Sequence, residues 1–74
     1  MDTQKLIYFI AAVKHLNFTK AANECHIAQT AMSRYISSLE RELGFQLFYR
    51  DNRNVSLTAA GESFYQEAVL LTEG

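Results

Sequence analysis

The segment Phe18 to Leu43, FTKAANECHIAQTAMSRYISSLEREL, limits the fold more tightly than any other part of the chain. Phe18, Ala21, Ala22 and Cys25 follow helical spacing, and Met32, Ile36, Leu39 and Leu43 resume it at intervals of four, three and four. His26, Ile27 and Ala28 are all that separates the two patterns. Two apolar stripes joined by so short a turn are buried only if the helices cross and cover each other. The alanines on the inner face of the first helix let the second come close. His26 tolerates a left-handed backbone better than a β-branched residue would, so it is the expected pivot, with Ile27 plugging the corner. Asn17 is the expected N-cap of the first of these helices. Gly44 is expected to terminate the second, at a position where positive φ carries no steric cost.

On either side the period changes. Leu6, Phe9, Ile10 and Val13 predict a helix from about Thr3 to His15, and Ile7 and Tyr8 widen its apolar face. Leu47-Phe48-Tyr49 and Val55-Ser56-Leu57 are short β-prone runs around the polar loop 50–54, Arg50-Asp51-Asn52-Arg53-Asn54, which predicts a hairpin with a basic tip. Thr58 is an expected N-cap for a last helix with Ala60, Phe64, Ala68 and Leu71 on one face and Tyr65, Val69 and Thr72 beside them. The order helix, helix-turn-helix, hairpin, long helix predicts a mainly α, winged helix-turn-helix domain: a three-helix core, a two-stranded wing and a long C-terminal linker helix. We place the domain at 1–57 and the linker or dimerisation helix at 58–74, cut short within a longer protein.

With 74 residues there is room for one core only. The absence of proline and the presence of just 3 glycines favour helices with few long loops. Cys25 is the single cysteine and forms no internal disulfide, and neither a signal peptide nor a membrane-length apolar run is apparent. These features predict a cytoplasmic protein. The formal net charge of −1 counts against a polyanionic partner until its distribution is considered. Between Lys14 and Arg53 there are six bases (Lys14, Lys20, Arg34, Arg41, Arg50, Arg53) against four acids (Glu24, Glu40, Glu42, Asp51). From Thr58 onward there are three acids and no base, so that stretch is expected to turn away from a polyanion.

The helix from about residue 29 to 43 carries Thr30, Ser33, Arg34, Ser37 and Arg41 on its outward face. Neutral polar groups and an Arg on such a face suit phosphates and base edges, although from the residues alone a solvated helix surface is an equal reading. Arg41 lies between Glu40 and Glu42 and reads first as a surface ion-pair partner, with a phosphate contact as its alternative. His15, Cys25 and His26 complete no metal-ligand set, since Cys25 and His26 are adjacent and no paired carboxylates join them. Cys25 reads as a small core residue and His26 as a turn residue. No nucleophile, base and orienter can be assembled, so an enzyme is not expected.

The string from Phe18 to Gly61 strongly resembles the N-terminal DNA-binding domain of LysR-type transcriptional regulators. The matching pieces are Phe18-Thr19 with Ala21-Ala22, Gln29 with Ala31 and Ser33, Ile36 with Leu39-Glu40, Leu43-Gly44, Leu47-Phe48 with Arg50, and Leu57-Thr58 with Ala60-Gly61. Any one of them means little; their joint spacing is specific. The resemblance implies a bacterial transcription factor, associated with the nucleoid, that binds an interrupted palindrome of double-stranded DNA. It also implies a homodimer through the last helix, with a tetramer as a further assembly of the whole protein; the stripe Phe64, Ala68 and Leu71 is assigned to the contact between copies, with simple core packing on the first helix as the alternative. No cofactor is implied for this domain; a small-molecule effector would bind a C-terminal domain that this sequence lacks. Ala28 and Thr30 stand where the family has Ser and Pro, so the helix begins without a hydroxyl N-cap and its start is free to shift by one residue.

On this reading the helix 29–43 enters the major groove, with Gln29 suited to adenine and Arg34 to guanine or a phosphate. Thr30 and Ser33 let its backbone approach the bases, and Ser37 lies further along the same face. Thr19 and Lys20 lie at the N-terminus of the preceding helix, where N–H groups attract phosphate; a simply solvated Lys20 is the equal alternative. Arg53 is assigned to the minor groove or backbone from the wing. Arg50 is left open between DNA and bracing the fold. A winged-helix module that binds protein through the same surface is the competing hypothesis.

Overall fold

The computed structural model describes residues 2–51 and 54–73. Four helices and a two-stranded wing follow in the expected order: α1 Thr3–His15, α2 Phe18–Glu24, α3 Gln29–Leu43, β1 Phe48–Arg50, β2 Val55–Leu57 and α4 Ala59–Glu73. Each junction has a local cause. Asp2 and Asn17 cap α1 and α2 by accepting from the backbone N–H groups of Lys5 and Lys20. Gly44 ends α3 at φ 82°, its N–H bonded to the Glu40 carbonyl. His26 takes the left-handed pivot at φ 59°. Leu16 takes another at φ 48°, where it caps α1 through the Ala12 carbonyl. A left-handed leucine is uncommon, costing about 1–2 kcal/mol, and no local residue pattern announces it.

The core lies where α1 meets α2, α3 and α4. Phe9 is fully buried at its centre, with its ring 5.7 Å from Phe48 and 5.3 Å from Phe64. Ala12, Ala21 and Ala22 are buried, and α2 packs against both α1 and α3. Met32, Ile36 and Leu39 supply the inner face of α3, while Leu43 is half-buried. The strands pair antiparallel, with Phe48 opposite Leu57 and Arg50 opposite Val55. Arg50 thus belongs to the end of β1 and not to the loop. Thr58 fastens the wing to α4: its hydroxyl donates to the Gln46 carbonyl at 2.7 Å and accepts from the Gly61 N–H at 2.8 Å. Gly61 is required here, because a Cβ would collide with the Leu47 carbonyl oxygen.

One expectation for α4 needs correction. Phe64 and Ala68, assigned to a contact between two copies, are 7% and 0% exposed in the single chain. They pack on α1 because the helical spacing that marks a stripe for a partner also marks a stripe for the domain's own core. Leu71, the third residue of that group, is 64% exposed, and its neighbour Leu70 is 72% exposed. Among the described residues no helix is long and apolar enough to cross a membrane.

Candidate nucleic-acid interface

Helix α3 forms a ridge. Its inner residues anchor it, which leaves Gln29, Thr30, Arg34 and Arg41 exposed and Ser33 and Ser37 half-buried at its flanks. Its N-cap, Ala28, is extended (φ −70°, ψ 149°) and makes no side-chain hydrogen bond, so no hydroxyl caps the first turn. The helix nonetheless begins at Gln29, within the range read from the sequence.

A cleft of 330 Å³ runs between this ridge, the start of α2 and the base of the wing. It gathers the α2 cap Asn17 and Thr19 of α2, Gln29 and Ser33 from α3, and Arg50, Asp51 and Asn54 from the wing. Four of the residues predicted to bind DNA, namely Thr19, Gln29, Ser33 and Arg50, therefore meet in one place although they come from three separate elements of the chain. Arg34 and Ser37 do not line this cleft. They line a second groove of 610 Å³ on the other flank of α3, with Lys5, Ser38 and Arg41. Thr30 and Lys20 are exposed and line neither groove. Lys20 has its backbone N–H taken by Asn17 at 2.9 Å, so what it can offer a phosphate is its ammonium group. Arg53 lies outside the described residues.

Glu40 organises the wing. Its Oε2 accepts from the N–H groups of Leu47 at 2.7 Å and Phe48 at 3.3 Å, and its Oε1 accepts from Arg50 at 3.0 Å. The Arg50 guanidinium also lies over the Phe18 ring, 5.0 Å from its centroid. Of the two roles left open for Arg50, bracing is the one these contacts supply. At the loop's neck Asp51 and Asn54 close on each other: Asn54 N–H donates to the Asp51 carboxylate at 2.6 Å, and Asp51 N–H to the Asn54 carbonyl at 3.0 Å.

The ion pair foreseen for Arg41 is not formed among the described residues. Glu40 is held by Arg50, and Glu42 by Lys5 at 2.6 Å, with the Lys5 ammonium also donating to Ser38 at 2.9 Å. The Lys5 hydrogen bond keeps the Glu42 carboxyl below the usual carboxylate range. Away from the ridge, Lys14 and His15 hold Glu24 at 3.0 Å each and lower its carboxyl in the same way. Cys25 is half-buried, and burial pushes its thiol up, which disfavours the nucleophilic thiolate. Among the described residues no group of three or more His, Cys, Asp or Glu side chains comes together as a metal site would need.

Sequence reasoning missed Lys5 and Asn54. Lys5 meets Ser38 across 33 positions, a contact that no local pattern announces. Asn54 was visible as part of the polar loop, but nothing in the sequence distinguished it from its neighbours.

The family model described as "Bacterial regulatory helix-turn-helix protein, lysR family" matches residues 3–62. The chain is 45% identical over 73 residues to the Hca operon transcriptional activator HcaR of Escherichia coli, covering 99% of this chain and 25% of that protein. It is 48% identical over 71 residues to the HTH-type transcriptional regulator BenM of Acinetobacter baylyi, covering 96% of this chain and 23% of that one. The chain thus spans about a quarter of the length of the curated relatives it matches. Among solved structures, the DNA-binding domain of CbnR in complex with DNA superposes with a TM-score of 0.95 at 37% identity, covering 99% of this chain and 84% of that one. The BenM DNA-binding domain on the catB site 1 DNA superposes with a TM-score of 0.94 at 46% identity, covering 99% and 82%. The ridge between its two grooves, the braced wing and these likenesses agree: this chain belongs to the LysR family of bacterial regulatory helix-turn-helix proteins, as its winged helix-turn-helix DNA-binding domain.

Proposed function

We propose that this domain reads a specific duplex sequence as one half of a homodimer, with α3 in the major groove and the wing segment 50–54, the end of β1 and the loop after it, on the minor groove or backbone. The observation that carries the proposal is the convergence of Thr19, Gln29, Ser33 and Arg50 in the cleft beside α3, with Arg34 exposed on the adjoining ridge. Three separate elements bring neutral polar groups and the Arg50 guanidinium to one cleft, with Asp51 at its edge, and neutral hydrogen-bonding groups of this kind suit the base edges and backbone of a duplex. Ser33 and Thr30 are short enough to let the helix backbone approach the bases, and Gln29 and Arg34 have the reach to pair with them. Lys20 and Arg53 belong to phosphate or minor-groove contact. The chemistry is recognition without catalysis, in the cytoplasm and on the nucleoid. The domain itself takes no cofactor, and an effector would act through a further domain.

Dimerisation through α4 is supported by the exposed Leu70 and Leu71 and by Ile7 on the neighbouring helix α1, itself 50% exposed. Two linked recognition helices imply a target with two half-sites, an interrupted palindrome. The test is selection of duplexes from a random library by the purified chain, followed by fluorescence anisotropy of the enriched and a scrambled duplex at two salt concentrations. Enrichment of a two-part motif, with binding that weakens steeply as salt rises, is the expected result. No binding to any duplex at low salt would instead favour a winged-helix module that uses this surface for protein.

A further inference from the structure

Ser33 lines both grooves that flank α3, so the ridge separates two channels, of 330 Å³ and 610 Å³. A helix lying in a major groove about 12 Å wide has a sugar-phosphate backbone on each side of it. In helix-turn-helix docking the earlier helix crosses one of these backbones, which gives the α2 cleft to that strand. The other strand must pass α3 on its α1 side, along the 610 Å³ groove. Arg34, Ser37 and Arg41 border that groove at i, i+3 and i+7, a stripe about 10.5 Å long at 1.5 Å per residue.

By sequence Arg41 is a poor phosphate ligand, because an acid precedes it and another follows. The fold removes both. Glu40 turns to the wing, held by Arg50 and the backbone N–H groups of Leu47 and Phe48, and Glu42 turns to Lys5. Arg41 stays exposed and forms no ion pair among the described residues. The geometry points to the α1–α3 groove as the seat of the second DNA backbone, with Arg41 as its phosphate-binding residue and Lys5 as the positioning residue that keeps Glu42 off it. This assignment rests on the DNA-binding reading above and extends it to residues that reading does not use.

The experiment measures anisotropy of the whole chain on a random-sequence duplex across a salt series, since a phosphate contact needs no target site. Arg41→Gln should lower the slope of log affinity against log salt by about 0.9, with a loss of roughly five- to tenfold near 0.1 M salt. Arg41→Lys keeps a point charge and should keep the slope. Lys14→Gln removes a charge that is paired with Glu24 elsewhere on the surface, and should leave the slope unchanged. Lys5→Met should weaken binding about two- to threefold, the size of one exposed charge interaction, and Glu42→Gln in the same chain should restore it. A merely structural Lys5 would not be rescued in this way. If wild type binds and Arg41→Gln keeps its slope, or Lys14→Gln changes it equally, the groove assignment is overturned and the recognition-helix reading stands. If wild type binds no duplex, both are overturned.

Discussion

Helices α3 and α4 are each 15 residues long and distribute their apolar side chains in opposite ways. In α3 the large apolar residues Met32, Ile36 and Leu39 fall on one face and are fully buried, so the opposite face is free for Thr30, Ser33, Arg34, Ser37 and Arg41. In α4 Phe64 and Ala68 fill the inner face, Tyr65 and Val69 are half-buried beside them, and Leu70 and Leu71 remain in solvent. One helix has as much apolar surface as the domain can cover. The other has more. A helix of the first kind can present polar chemistry without endangering the fold, whereas one of the second kind calls for another apolar surface.

Four substitutions or conditions test this contrast, in descending order of expected effect. Phe64→Ala should be the most damaging, costing about 3–5 kcal/mol of stability, because it empties a ring site against Phe9 at the centre of the core. Urea unfolding would measure it, and a loss no larger than that of a surface substitution would break the claim that the inner face of α4 belongs to the domain. Arg34→Ala should leave stability within about 0.5 kcal/mol of wild type. It should weaken binding to a selected duplex by about 1–3 kcal/mol, by anisotropy. Leu71→Glu should also leave stability unchanged within about 0.5 kcal/mol, while sedimentation shows less dimer than wild type at equal concentration. A wild type that stays monomeric at high concentration would sink the proposed use of the outer face of α4.

The smallest effect is pH-dependent. Glu24 and Glu42 have carboxyls lowered from the ordinary value of 4.5, by Lys14 and His15 in one case and Lys5 in the other. A group whose folded pKa lies below its unfolded one stabilises the fold above the unfolded value, and that contribution disappears as pH falls through the folded value. The domain should therefore hold these two contributions at neutral pH and lose them progressively below pH 4.5. Both carboxylates lie at the surface, so the change in melting temperature should be slight and reduced by salt. The paired variant Glu24→Gln with Glu42→Gln should flatten it.

Local features were legible in the sequence because their causes are local. The boundaries of α1, the Asn17 cap, the His26 pivot, the stop at Gly44 and the Thr58 cap each follow from a residue and its immediate neighbours. What escaped was long-range competition for partners. Arg41 stands between two acids, yet Arg50 and Lys5 reach those acids first from the wing and from α1. Phe64 and Ala68 show the same limit in apolar form: a periodic stripe announces burial without saying whether the cover comes from this chain or another. Within the site, the residue types on α3 were readable, but that Thr19 and Arg50 would join Gln29 and Ser33 in one cleft depends on the crossing of α2 and on the Glu40 contacts that set the wing.

If the polar face of α3 reads bases, beyond attracting phosphate, its contribution must depend on the duplex sequence. The most direct test compares wild type with Ser33→Ala on a library-selected duplex and a scrambled one at a single salt concentration. Wild type should prefer the selected duplex, and Ser33→Ala should shrink the preference by roughly five- to a hundredfold while binding to the scrambled duplex changes little. Equal losses on both duplexes would contradict base reading, leaving α3 as a backbone-binding helix only.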